Sequence, residues 1–238
     1  TFENTFYKAT FDPKTGGIAS LLDKTLGKEL VDAASPYKLG QLIYAASPEE
    51  TVGSLVCPDP NKVKFHSAEN STQAVRVAGP VFTAVRSTSS AKMFPGIEMD
   101  VVLYANERRV DFNFKLRKDH TFDREAVYIA FPFAGASPAF RYEIGGGNVR
   151  PNEDHFPGAC REWFSVQRWV TVNTQDAGVA WSPIDTPLIT LCQMTPGNWL
   201  DTLPITNGTV FAYVMNNYWF TNYKASQDGD FTFRYSLT

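Results

Sequence analysis

The chain has 238 residues, with 22 Lys and Arg against 25 Asp and Glu and a formal net charge of −3. Its length fits one large β domain or two small ones, and 43% hydrophobic with 20% charged residues is a balance that can fill a core. No basic patch stands out, which argues against nucleic acid and anionic membrane surfaces as partners, and no apolar run approaches the ~20 residues of a membrane span.

The opening reads as a meander of short antiparallel strands. Phe6 to Phe11 is the first, and Asp12-Pro13-Lys14-Thr15-Gly16-Gly17 turns it: Pro13 presets φ and the glycines accept positive φ. Ile18 to Leu22 returns, Asp23 to Lys28 turns again, and Glu29 to Val31 gives a short third strand. Ala33 to Pro60 carries four prolines and little periodicity; a strand over Leu39 to Ala45 followed by a long loop is expected.

Beyond Lys62 come Val63 to Ser67, Gln73 to Ala78 and Val81 to Ser89, with Gly79-Pro80 as a reversal. Ile97 to Tyr104 and Arg109 to Arg117 form the clearest hairpin. Val110, Phe112, Phe114 and Leu116 alternate with polar neighbours around the turn Ala105 to Arg108. Val127 to Phe133 and Phe140 to Ile144 follow, the latter closed by Gly145-Gly146-Gly147. This glycine run is no phosphate loop, because neither Lys-Ser/Thr nor a helical pattern follows it. Phe164 to Asn173, Gly178 to Ser182 and Leu188 to Gln193 are further strands.

The closing stretch has two strands. Thr209 to Met215 is mostly apolar, as in a strand buried on both faces. In the last, Phe231, Phe233, Tyr235 and Leu237 alternate with Thr232, Arg234 and Ser236, so one face is buried. Together they read as a hairpin-like core pair around a loop rich in amides and aromatics, including Asn216, Asn217, Tyr218, Trp219, Asn222 and Tyr223. Amide groups beside flat rings suit a sugar, which offers hydroxyls at its rim and C–H groups on its faces. The same residues also suit a structural role, the rings plugging the sandwich end and the amides making turns. With no helical period over ten or more residues and turn signals every eight to twelve, all of this argues for one large antiparallel β-sandwich over residues 1–238, about a dozen and a half strands in all. The first residue is Thr1, not Met, and the opening residues form no secretory signal, so a fragment of a longer multidomain chain is expected, its compartment open.

Chemistry-bearing groups are scattered. His66, His120 and His155 lack metal-ligand spacing, so surface or structural roles are expected. Cys57, Cys160 and Cys192 lack CxxC spacing and read as core or free thiols, with a single disulfide left open. The sequons at Asn70 and Asn207 carry weight only in a secreted eukaryotic protein. Carboxylates gather at Asp119, Asp123 and Glu125 and at Glu153, Asp154 and Glu162. Interleaving with Lys118, His120 and Arg124 makes the first group read as a solvated, charge-paired loop. The second, with Arg150, Arg161 and Trp163, reads as structural or ligand-adjacent. No Gly-x-Ser-x-Gly signature is present.

The stretch Pro204 to Thr238, with Asn216, Asn217, Trp219, Thr221, Asn222 and Tyr223 in its loop and Phe-Thr-Phe-Arg-Tyr in its last strand, resembles the C-terminal β region of family 38 glycoside hydrolases, the α-mannosidases. The turn departs from the family at Asp228, where Gly is common. Glu3 to Asp32 and Gln167 to Ile189 resemble the same region, in the same order.

The resemblance implies a β-supersandwich of the galactose-mutarotase type behind a catalytic barrel that holds zinc and the nucleophilic Asp of a retaining mechanism. No Asp-Pro-Phe-Gly-His-type zinc segment occurs in this sequence, so no catalytic or metal role is carried onto its residues. The cofactor expectation is accordingly zinc in the catalytic domain and none in this chain. The implied partners are that catalytic domain and mannose-containing glycans. The implied role is to brace the barrel, with Asn216, Asn217, Trp219, Asn222 and Tyr223 lining the sugar-binding rim. An independent carbohydrate-binding module and a purely structural interaction domain are the alternatives. An epimerase or mutarotase would need a His and a carboxylate paired on a concave face.

Overall fold

Arg124–Phe133 is the strand on which the fold turns, and every residue in it is buried. Alternate side chains of a strand point to opposite faces, and here both faces are covered. Val127, Ile129, Phe131 and Phe133 enter the main core, while Ala126, Tyr128 and Ala130 join a smaller cluster on the other side. In this computed structural model, residues 1–47, 59–175, 177–194, 199–218, 223 and 225–238 are described.

Among them the chain forms nineteen strands and no helix. The first four, β1 (Phe2–Glu3), β2 (Tyr7–Phe11), β3 (Ile18–Asp23) and β4 (Lys28–Glu29), make a small antiparallel meander. A six-stranded sheet is built from β5 (Gln41–Ser47), β6 (Lys64–Ser67), β11 (Arg124–Phe133), β14 (Phe164–Ser165), β17 (Leu188–Leu191) and β18 (Gly208–Asn217), ordered β14-β17-β18-β11-β5-β6.

A nine-stranded sheet takes the remainder. Its members are β7 (Glu69–Ala78), β8 (Phe82–Ala91), β9 (Phe94–Tyr104), β10 (Val110–Lys118), β12 (Ala139–Ile144), β13 (Gly147–Val149), β15 (Val170–Asn173), β16 (Gly178–Pro183) and β19 (Gly229–Leu237). They run β13-β12-β15-β16-β19-β10-β9-β8-β7. The core between the two large sheets is aromatic. Phe131 meets Phe112 edge-on at 5.7 Å and lies 5.1 Å from Trp181, and Trp181 stacks on Tyr235 at 5.4 Å.

The expected β9–β10 hairpin forms, with Phe112 opposite Val101 and Phe114 opposite Met99. The closing strands, expected as a pair, belong to different sheets. β18 pairs with β11 and β17, while β19 pairs with β10 and β16. The burial patterns give the reason: β18 is covered on both faces and belongs inside a sheet, whereas β19 matches its single apolar face to that of β10, Tyr235 opposite Phe112.

Phe164 to Asn173 likewise divides into β14 and β15, because the chain crosses between sheets after Ser165. There the Val166 amide donates to the Pro187 carbonyl and the Gln167 amide to that of Glu143. Gly145 to Gly147 does not end the sheet but turns β12 into β13. Of the expected third strand, Glu29 to Val31, only Glu29 falls in β4, which begins one residue earlier at Lys28; Val31 bridges to Phe133 instead.

Side-chain contacts fix the meander to the larger sheet. The Asn4 side-chain amide donates to the Tyr104 carbonyl at 2.6 Å, and Arg108 pairs with the buried Asp23 at 2.5 Å. Gly40 is needed where the chain enters β5: its φ is +78°, and a Cβ there would lie 2.6 Å from the Met99 sulfur.

Candidate functional site

The amide-rich loop leaves β18 at Asn217, at the same end of the sandwich where β10 passes to β11. Asn216 is exposed, Asn217 and Tyr218 are buried, and Tyr223 is 62% exposed. Trp219 and Asn222, the other two expected rim residues, lie outside the described residues, as does Cys57.

Asn217 is a clasp. Its side-chain amide donates to the Ala225 carbonyl at 2.7 Å and to the Asp123 carbonyl at 3.3 Å. One side chain thus ties the 218–228 segment back on itself and to the 119–123 loop. Tyr218 packs among Tyr128 and Tyr213, its hydroxyl 3.4 Å from the Ser47 hydroxyl, and burial pushes its pKa up to about 12. The 119–123 loop presents Phe122, half exposed, with His120 edge-on at 4.5 Å. Phe122 carried no signal in the sequence, since a single Phe in a charged stretch has no periodicity to mark its exposure.

Below this loop lies a group that the sequence misplaced. Glu125 and Lys118 are not part of a solvated loop: they occupy strand ends and form an ion pair at 2.6 Å with side chains 2% and 0% exposed. Lys118 also donates to the Asp119 carbonyl at 3.1 Å. Burial raises the Glu125 pKa against the opposing pull of Lys118, and the nearby Tyr44 hydroxyl is raised by burial and then by the Glu125 charge. The Oε2 of Glu125 has no hydrogen-bond partner among the described residues.

The second carboxylate group does not converge either. Asp154 is chelated by the Arg150 guanidinium, which holds its carboxyl well below the usual range, and Glu153 pairs with the same arginine. Glu162 is buried separately. His155 bonds the Tyr142 hydroxyl, and burial lowers its pKa. Cys160 and Cys192 are free thiols. Among the described residues no three His, Cys, Asp or Glu are placed to hold a metal ion. No helix among them is long and apolar enough to cross a membrane, which leaves β-barrels unaddressed.

Two packed antiparallel sheets with a small meander at one flank define a β-supersandwich. A galactose mutarotase related enzyme from Lactobacillus acidophilus superposes with a TM-score of 0.53 at 12% identity, covering 100% of this chain and 96% of that one. At that identity the likeness shows the fold alone.

An α-mannosidase from Enterococcus faecalis V583 superposes with a TM-score of 0.71 at 14% identity, and a second Enterococcus faecalis protein, of glycosyl hydrolase family 38, with 0.68 at 12%. Both alignments cover 100% of this chain but only 28% and 29% of those chains, so this chain spans less than a third of their length. No curated protein sequence matches it. The profile described as "Glycosyl hydrolases family 38 C-terminal domain" matches residues 2–182, and the chain belongs to that family. The match takes in the opening resemblance but stops before the closing stretch.

Proposed function

We propose that this chain is the non-catalytic C-terminal β domain of an α-mannosidase-like glycoside hydrolase, a single sandwich over residues 1–238. In this reading it braces a zinc-dependent catalytic portion of the same polypeptide and supplies part of the rim that holds a mannose-containing glycan. Family membership supports the first half. The observation that carries the second is the Asn217 clasp, which fixes two loops carrying the exposed rings Phe122 and Tyr223. Preorganised aromatic faces offer a pyranose C–H surfaces to stack on at little entropic cost. Asn216, Trp219 and Asn222 belong to the same rim in this reading, Asn216 as an exposed amide beside the clasp.

Zinc would act in the catalytic portion, and no step through it is assigned to these residues. Tyr223→Ala in the complete enzyme is expected to lower kcat/KM for an oligomannoside by about tenfold, as loss of one stacking contact implies, with Tm unchanged because the ring is 62% exposed. An unchanged kcat/KM would leave the domain a brace only.

A further inference from the structure

A second concave feature lies beside β6 and β7, the edge strands of the two large sheets. It is a cavity of about 520 Å³. Its walls come from three places: Phe65, His66 and Ser67 of β6, Glu69 at the start of β7, and Ser90 to Lys92 at the end of β8, with Lys14 of the first turn closing it. In sequence these groups are far apart; only the pairing of β5 with β6 and of β7 with β8 gathers them.

The chemistry of the lining is one-sided. Lys14, His66 and Lys92 line it together with Ser67 and Ser90, and Glu69 is the one acid among the described lining residues. The Nε2 of His66 is buried without a hydrogen-bond partner among the described residues. Its ring sits 6.1 Å from Tyr44, so the imidazole lies behind the cavity wall against the apolar layer.

We infer that this cavity is a binding site for a tetrahedral oxyanion, a phosphate or sulfate group either free or esterified to a sugar. Two ammonium groups supply charge-assisted hydrogen bonds, the two serine hydroxyls supply neutral ones, and the imidazole in the wall adds its positive charge when protonated. Burial and then the charges of Lys92 and Lys64 hold the His66 pKa below its ordinary value. A bound anion offsets those charges, so occupancy and protonation of His66 reinforce each other. The other titratable groups facing the ring are Tyr44 on β5 and, across the cavity, Lys14 and Glu69.

The test is an NMR titration of the purified protein with inorganic phosphate, sulfate, a hexose 6-phosphate and chloride at matched ionic strength. Saturable shifts at His66, Ser67 and Ser90 with millimolar phosphate and sulfate are expected. Chloride should produce none. The sugar ester binding more tightly than the free ion assigns the site to a phosphorylated glycan, and equal binding assigns it to the free oxyanion. Lys14→Ala/Lys92→Ala should weaken binding about tenfold through loss of two charge-assisted contacts; both side chains are exposed, so an unchanged Tm verifies the fold. With sulfate, whose charge is constant, affinity should rise as pH falls and His66 protonates, below the range of an ordinary imidazole in the free protein. Non-saturable shifts, shifts matched by chloride, or binding indifferent to the double substitution would overturn the assignment.

Discussion

Replacing Glu125 by Ala lowers the stability of the protein by about 3–5 kcal/mol, the usual cost of breaking a buried ion pair. The substitution strands the Lys118 ammonium in a site where its side chain is 0% exposed, with the Asp119 carbonyl as its remaining bond. Lys118→Met strands the carboxylate instead, and its pH dependence has a definite sign. Burial already sets the folded-state pKa of Glu125 above its unfolded value, and removing Lys118 takes away the contact that opposes this. A carboxylate with a raised folded pKa binds protons more readily folded than unfolded, so folding gains as pH falls through the window between the two values. The deficit of Lys118→Met relative to the wild type should therefore be largest at neutral pH and shrink towards about pH 4.5, the unfolded end of the window. The double change Lys118→Met/Glu125→Leu should recover most of the loss, since an apolar pair avoids desolvating two charges. Urea melts of the four proteins at two pH values decide this. A Glu125→Ala loss under about 1 kcal/mol, the size for a surface pair, would mean that water reaches the pair.

The second large effect is on catalysis in the complete enzyme. Asn217→Ala leaves the Asp123 and Ala225 carbonyls without their shared donor, at a cost of about 1–3 kcal/mol. It also frees the two loops from each other. A displacement of about 1 Å at a substrate-positioning element costs on the order of 100-fold in rate, so kcat/KM for an oligomannoside should fall by about that factor. In the proposed reading a small aryl mannoside stops short of the rim, so its turnover should be affected far less. That split separates a rim function from general loosening, which would lower both alike. Asn217→Asp serves as the closest variant, since it keeps the shape and loses the donor.

Most of the sheet was legible in the sequence, and the reason is periodicity. The alternation in β10 and β19 and the unbroken apolar run of β18 follow from one covered face and two covered faces respectively. Which strands pair was less legible. β18 and β19 are neighbours in sequence yet go to opposite sheets, where their faces match those of β11 and β10.

The charges at Lys118 and Glu125 misled for a related reason. Alternating signs look alike whether the groups face water or each other, and only the strands above and below decide. At the candidate site, Asn217 stood out as an amide beside aromatics. Its bonds to Asp123, 94 residues away, and to Ala225 come from the fold. The cavity at Lys14, His66 and Lys92 left no sequence trace, because these basic residues come from two separate turns and from β6.

The most direct measurement is turnover of an aryl α-mannoside by the purified 238-residue chain beside the complete enzyme with zinc supplied to both. A domain that braces and lines a rim should give no turnover alone, while the complete enzyme hydrolyses the substrate. Hydrolysis by the isolated chain that a point substitution within it abolishes would contradict the non-catalytic role.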